Sequence, residues 1–447
     1  MKRDADVIVV GGGAAGLLAA GRAAAAGSRV LLLEKNAETG RKLKMSGNGR
    51  CNITNIGDIR DFPAHYPGGG KFLHAAFHRL DNTALIDFFA ALGVKTKVER
   101  GGRVFPVSDD AEEVVRALRR YAQAAGALTE TERRVTRLAV AAGENTAARP
   151  RVFGVYVAGE TAPRRSGAVI IATGGAAFPG TGATGDGYGL GKEVGHTVRT
   201  PLPALVPLRA VESWLAGVQG LSLRNVKAAL WINGRKKQEE FGELLFTHFG
   251  LSGPIILTLS REAARALEEG AETEVRVNLK PALTAEQVAR RLDRDLRQGG
   301  AKTLKGALEQ LLPKRLIPVL IDLAALSPEQ KAADLRREER RRLAALLQDL
   351  PLRLTGHLGF GAAVITAGGI DLTEVQPATM ASKHADGLFW AGEVLDIDGV
   401  TGGYNLQAAF STAFLAGEAA AAYSSDVIAP LSPSAACSSS TKRSKSL

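Results

Sequence analysis

The stretch D-V-I-V-V-G-G-G-A-A-G (6–16) decides the fold. The apolar run 6–10 is of buried-strand type, and Gly11-x-Gly13-x-x-Gly16 follows it directly. Residues 14–26 are Ala/Leu-rich and read as a helix, Gly27 ends it, and R-V-L-L-L-E (29–34) is the next strand. The chain therefore opens on a βαβ unit. Gly11 permits the tight turn, Gly13 lets backbone approach a pyrophosphate, and Gly16 lets the helix pack close to the sheet. A pyrophosphate placed there meets the helix N-terminus and its free N–H groups. Glu34 lies 18 residues beyond Gly16, where an acid binds a ribose hydroxyl pair. Strand, glycines, helix and terminal acid together point to an adenine dinucleotide.

A second match, G-T-G-A-T-G (180–185), also follows a strand, A-V-I-I-A-T-G-G (168–175). No strand ending in an acid comes after it, so it reads as a loop lining a pocket, with Asp186 as the N-cap of the next helix.

Downstream of Glu34 the sequence favours FAD over a plain NAD fold. The donor-rich segment R-K-L-K-M-S-G-N-G-R-C-N-I-T (41–54) carries Arg41, Lys42, Lys44 and Arg50 and no acid. It reads as a loop laid against something rich in acceptors. Near the other end, G-L-F-W-A-G-E (387–393) is a strand ending in an acid, and G-G-Y-N-L-Q-A-A (402–409) opens a helix. The N-terminus of that helix can face the edge of a flavin where negative charge gathers on reduction. Such a placement contributes roughly 0.3–1 kcal/mol, on the order of 10–20 mV in a two-electron potential.

Between these ends the character changes. A helical stretch at 71–92, the segment G-G-R-V-F-P-V (101–107), a helix at 109–125 and a strand pair at 133–140 and 151–158 complete the first part. Residues 200–280 read as strand-rich, and 283–350 as charged, Leu-periodic amphipathic helices. Gly-rich α/β sequence returns near 355. The expected fold class is α/β: a Rossmann-like dinucleotide domain from both chain ends (1–198 and 353–423), a β-rich insert (199–282) and a helical subdomain (283–352). The Ser/Pro/Ala-rich segment 424–447 reads as a disordered tail.

Composition bounds the rest. Of 447 residues, 45% are hydrophobic and 51 are glycine, which suits a globular α/β chain rich in tight turns. Cys51 and Cys437 stand far apart and offer neither a disulfide framework nor a metal cluster, so no metal is expected and a reducing, cytoplasmic setting fits. No uninterrupted apolar run is long enough to span a membrane, and M-K-R-D-A-D enters a strand at once, against a cleaved leader. The net charge of +11 is spread out; its densest run, R-R-E-E-R-R-R (336–342), reads as a solvated helix face.

Several long blocks resemble one family. G-G-G-A-A-G, G-R-K-L-K-M-S-G-N-G-R-C-N-I-T-N, G-R-V-F-P-V-S, A-T-G-G with T-G-D-G-Y, G-E-L-L-F-T-H-F-G-L-S-G-P and G-E-V-L-D-I-D-G-V-T-G-G-Y-N-L-Q are similar to those of the BaiN/YhiN-type NAD(P)/FAD-dependent oxidoreductases, or aminoacetone-oxidase-like flavoproteins. The resemblance extends to about residue 420 and is poorest at 56–72. It implies that 41–54 packs along a flavin, its cations and amides meeting pyrophosphate and ring acceptors. It implies cofactor contacts from Gly11, Gly13, Ala14, Ala15, Gly16, Glu34 and Lys35, and from Arg41, Lys42, Ser46, Gly47, Asn48, Gly49, Arg50, Cys51 and Asn52. Val135, Thr173, Gly174 and Gly175 belong to the same set, as do Gly392, Glu393, Asp398, Gly403, Tyr404, Asn405 and Leu406.

Catalytic candidates are fewer. Thr247, His248, Gly250 and Ser252 form a shaped loop expected beside a substrate. His248 is either a proton donor, a role worth roughly 10²–10⁴ in rate, or a structural histidine. Arg50 approaches either the flavin N5 or the pyrophosphate. Cys51 reads as a small residue packed beside the flavin, and Asp396 and Asp398 either meet the ribityl chain or organise their turn. The leading expectation is a flavin-dependent oxidoreductase acting on a small molecule, by C=C reduction or amine oxidation, with NAD(P)H as transient donor. No stable nucleic-acid partner is expected; an RNA-associated flavoprotein is the alternative that the charge suggests, and a non-catalytic flavin-binding protein is the third reading.

Overall fold

The computed structural model describes residues 3–142, 149–299 and 302–426. Strands Val7–Val10 and Val30–Leu33 flank helix Ala14–Ala25, as the opening sequence requires. They belong to a five-stranded parallel sheet in the order 388–390, 168–171, 7–10, 30–33, 128–130. Leu388–Trp390 is an edge strand of that sheet, so residues from both ends of the chain share it. The central strands are buried along their whole length, as parallel strands covered on both faces must be. Helices Ala14–Ala25, Ala111–Ala124 and Tyr404–Asp426 pack together on this body. A β-carbon at Gly16 would stand 1.7 Å from the Gly11 carbonyl oxygen, so only glycine lets the first helix come this close to the turn that starts it.

Two strands, Val198–Ala204 and Ile365–Ile370, pair antiparallel and carry the chain out of this body and back. Between them lies a closed six-stranded barrel, in the order 208–210, 250–252, 235–247, 222–232, 273–278, 350–357. Its core of Leu, Ile and Val is separate from that of the dinucleotide body. Helices Ala285–Gln298, Leu304–Leu308, Ile317–Leu323 and Arg337–Gln348 close over that core, and the charged run 336–342 starts the last of them.

Five expectations need correction. The strand-rich region contains a fifteen-residue helix, Pro254–Glu268, whose apolar positions 255, 256, 259 and 263 recur at helical spacing behind a glycine–proline start. The boundary at 352/353 falls inside strand Leu350–His357, which closes the barrel. The boundary at 198/199 falls inside the linking ribbon. The last helix runs on to Asp426, so 424–426 belong to it; residues 427–447 of the expected tail lie outside the described residues. Asp186 is the first residue of its helix rather than the cap, which is Gly185 in a left-handed conformation.

Candidate active site

The N-terminus of helix Ala14–Ala25 opens on a cavity of about 1180 Å³. No side chain caps this end, and a β-carbon built on Gly13 would meet nothing within 4 Å. Backbone amides and free space therefore face the cavity together. Glu34 lies at its edge, 7% exposed. Its carboxylate accepts from Gly12 N at 2.6 Å and from Asn36 N at 2.8 Å, which ties the strand end to the glycine turn.

The donor-rich segment is partly helical. Residues 41–49 form a helix broken at Ser46, Gly47 and Asn48, where Gly47 and Asn48 take positive φ. The break turns the chain into the cavity wall, which Ser46, Gly47, Asn48, Arg50 and Asn52 all line. In the orientation that satisfies both ends of its amide, Asn52 accepts from Gly403 N at 2.9 Å and donates to Thr54 O at 3.0 Å. Asn55 Nδ2 donates to Gly402 O at 3.1 Å, and Thr54 Oγ1 to Gln407 Oε1 at 2.6 Å. Segment 52–55 is thereby stitched to the start of the C-terminal helix. A second helix N-terminus, with Gly402, Gly403, Tyr404, Asn405 and Leu406, reaches the same cavity.

The cations of this segment depart from expectation. Lys42 Nζ lies 2.6 Å from Glu393 Oε2, Lys44 bridges Glu38 and Glu112, and Arg50 pairs with Glu99 and Asp109 while stacking on Phe105. Their charges are met by acids of the protein itself. Arg41 donates to neutral oxygens, Asn36 Oδ1 at 2.9 Å and Gly180 O at 3.0 Å. The segment thus supplies backbone and amides to the cavity more than free charge.

The barrel provides the opposite wall, through Arg224, Asn225, Glu240, Phe241, Leu257 and Thr258. Between the two walls stand His65 and Tyr404, whose rings stack at 4.0 Å with 16° between planes. Burial holds the His65 imidazole below its usual pKa and the Tyr404 hydroxyl above its own, so near neutral pH the ring is uncharged and the phenol keeps its proton. Tyr66 Oη donates to Tyr404 O at 2.7 Å and fixes the backbone there.

A family model described as the HI0933-like protein Rossmann domain matches residues 5–419. The chain belongs to the HI0933-like family. It is 34% identical over 394 residues to a 3-dehydro-bile acid delta(4,6)-reductase of Clostridium scindens, covering 88% of this chain and 93% of that one. It is 31% identical over 389 residues to a ribosomal RNA dihydrouridine synthase of Escherichia coli, covering 87% and 91%. Among solved structures, it superposes on a 3-ketosteroid delta1-dehydrogenase from Sterolibacterium denitrificans with a TM-score of 0.52 at 14% identity, over 94% of this chain and 99% of that one. A quinol fumarate reductase of E. coli gives 0.51 at 18%, over 95% and 71%. Those two likenesses are of fold. This HI0933-like protein is an oxidoreductase with a Rossmann-type FAD-binding fold.

FAD fits the residues present. Two helix N-termini, an acid at the end of the second strand and a backbone surface free of β-carbons at Gly13 converge on one space. Its volume exceeds the roughly 300–1,000 Å³ of a single drug-sized ligand.

Most of the residues singled out in sequence line this cavity, among them Gly11, Ala14, Ala15, Lys35, Val135, Thr173, Gly174, Gly392 and Glu393. Others are absent from the lining. Gly16 packs on the Gly11 carbonyl, Gly175 abuts Thr366 and Glu393, and Gly49 lies just past the helix break. Cys51 is fully buried, its thiol pushed up to about 12 by burial. Asp398 is buried in an ion pair with Arg261 of the barrel's helix, so it joins the two bodies instead of facing the cavity. The expected substrate loop is also displaced. Thr247 ends one barrel strand, Gly250 and Ser252 lie in the next, and His248 is exposed in the hairpin turn between them. The cavity is lined instead by residues 238 and 240–243, farther back along the strand.

Sequence reasoning missed Asn36, His65 and the whole barrel wall. Asn36 stands two residues past the acid and was within reach of the fingerprint. The others carry no local signal.

Proposed function

We propose that this protein saturates a carbon–carbon double bond conjugated to a carbonyl, in a cytoplasmic, NAD(P)H-driven reaction, with FAD held along the wall made by both chain ends. The observation that carries this reading is the single cavity with a cofactor wall on one side and the barrel on the other. The two kinds of named relative add chemical support. The names 3-dehydro-bile acid delta(4,6)-reductase and ribosomal RNA dihydrouridine synthase both fit saturation of a ring C=C conjugated to a C=O.

When bound, FAD supplies hydride transfer. The chain's own residues do the rest. The amides at Gly13, Ala14 and Ala15 would hold the pyrophosphate, Glu34 the ribose, and the Lys42–Glu393 pair the polar chain between pyrophosphate and ring. Asn52, Gly403, Asn405 and Leu406 would frame the ring. Substrate lies against Tyr404 and His65, with Phe241, Leu257 and Pro254 excluding water from its other face. The Tyr404 hydroxyl, protonated at neutral pH and made less acidic still by burial, polarises the carbonyl or delivers the proton that completes saturation. Arg50 shapes the ring wall through Phe105 and does not move protons.

The test is anaerobic. NADH or NADPH should bleach the flavin absorbance, and a cyclic 2-enone or 3-oxo-4-ene steroid should restore it. Bleaching by neither nucleotide, or no reoxidation by any conjugated enone, would refute the reading.

A second reading has its own observation: Arg100, Arg103, Arg133, Arg134 and Arg224 stand around the cavity. The same chemistry on a uracil ring in RNA would use them for phosphate. Retention on RNA whose logarithm falls linearly with log salt, at a slope of several phosphates, would favour it.

A further inference from the structure

Away from this cavity, three side chains from separate segments meet at the foot of the ribbon that joins the two bodies. His196 comes just before strand Val198–Ala204, Glu374 just after strand Ile365–Ile370, and His384 just before strand Leu388–Trp390. We propose that His196, Glu374 and His384 form a structural site for a divalent transition cation of the Zn²⁺ class.

The geometry carries the argument. His196 Nδ1 lies 3.2 Å from Glu374 Oε2, and His384 Nε2 lies 3.6 Å from the same oxygen. All the candidate ligand atoms fall within 4.8 Å of one another. Bonds of about 2.0–2.2 Å in a tetrahedral shell separate ligand atoms by roughly 3.4 Å, which the two shorter separations bracket. His384, whose side chain is 39% exposed, is the member with room to turn toward the other two. Two imidazoles and one carboxylate are a donor set suited to zinc and its neighbours rather than to magnesium or calcium.

The second observation is an orphaned atom. The His196 side chain is fully buried, and its Nδ1 has no hydrogen-bond partner despite the nearby carboxylate. A buried ring nitrogen left so is costly. Its other nitrogen, Nε2, lies 2.7 Å from Ser382 Oγ, whose two lone pairs accept from the amides of His384 and Ala385 at 3.0 Å each. The Ser382 hydroxyl is then left to donate to Nε2, so without a metal the ring proton sits on Nδ1 toward Glu374, and a divalent cation would take that proton's place between Nδ1 and Oε2. Thr197 N donates to Glu374 Oε2 at 2.7 Å and holds the carboxylate in place. Such partners behind the ligands are what orient metal-binding imidazoles and carboxylates. Trp390, its ring 5.0 Å from that of His196, closes the inner side. A cation here would staple the outgoing linker, the returning linker and the segment leading to the edge strand.

The experiment uses tag-free holoprotein stripped with EDTA, then exchanged into buffer with ZnCl₂ and desalted. Elemental analysis should find one zinc per chain. Micromolar zinc should raise the thermal midpoint by at least about 3 °C. His384→Ala, at a half-exposed position, should lose both effects while keeping its FAD content and its zinc-free midpoint. Should that variant prove unstable, Glu374→Gln serves the same purpose. No zinc retained by the wild type overturns the proposal. So does retention or a thermal shift of equal size in the variants, which marks an adventitious ion only.

Discussion

Gly13→Ala separates the fold from the cofactor site. The backbone at Gly13 has φ −79° and ψ −165°, which alanine adopts freely, and the added methyl would touch nothing within 4 Å. The empty fold should therefore accept it, losing no more than about 1 kcal/mol from the weaker N-cap. In a chain of this length that is a thermal shift of a few degrees at most. The methyl would stand where the pyrophosphate is proposed to meet the helix end. That contact combines a helix-terminus interaction of about 0.3–1 kcal/mol with a charge-assisted backbone hydrogen bond of about 1.5–3 kcal/mol. A loss of about 2–4 kcal/mol corresponds to FAD affinity lower by roughly 30- to 1,000-fold. Titration of deflavinated protein with FAD, followed by flavin fluorescence, reads the affinity; calorimetric unfolding of the same apoprotein reads the fold. An FAD affinity within about threefold of wild type, with the unfolding transition intact, would refute the placement of the pyrophosphate.

Other outcomes follow from the same geometry. His248→Ala should change turnover less than about twofold, since the ring sits in an exposed hairpin turn; a loss of 100-fold would return it to the chemistry. Cys51, buried with its thiol pushed up to about 12, should escape iodoacetamide at pH 8 in the native holoprotein and be labelled in urea, as residue-resolved mass spectrometry can show. Glu418 is held below its usual pKa chiefly by its hydrogen bond from Arg79, with Arg22 of the first helix as second partner. A depressed carboxylate stabilises fully above its unfolded pKa, and that contribution fades as pH falls through the lower folded value. Glu418→Gln should thus be less stable than wild type in urea at pH 7, with the difference shrinking toward pH 3. A gap that stays constant with pH would contradict the ion-pair account.

The sequence and the structure agree best where chemistry is local. The glycine turn, its helix and Glu34 lie in one continuous stretch, each constrained by its neighbours, and all stand where their spacing places them. An interruption of the dinucleotide body was legible from the return of Gly-rich sequence near 355; that the inserted strands close into a barrel was not. Helix Pro254–Glu268 was not, because the G-L-S-G-P before it reads as a loop and its apolar positions then look like short strands. The charges of Lys42, Lys44 and Arg50 were misread for a physical reason. Apart from Glu38, six residues before Lys44, their partners Glu99, Asp109, Glu112 and Glu393 lie 49 to 351 residues away, and no spacing rule reaches so far. The same limit hid the His65–Tyr404 stack and the cluster of His196, Glu374 and His384, which exist only once the chain has closed on itself.

The central claim is that both chain ends make one mould for FAD. Its most direct measurement is the cofactor content of the purified protein: visible absorbance of the native preparation, then chromatography of what heat releases. The account expects a flavin spectrum and one FAD per chain, in wild-type protein and in His248→Ala alike. A colourless preparation that binds no FAD even after incubation with excess, while its unfolding remains cooperative, would contradict it.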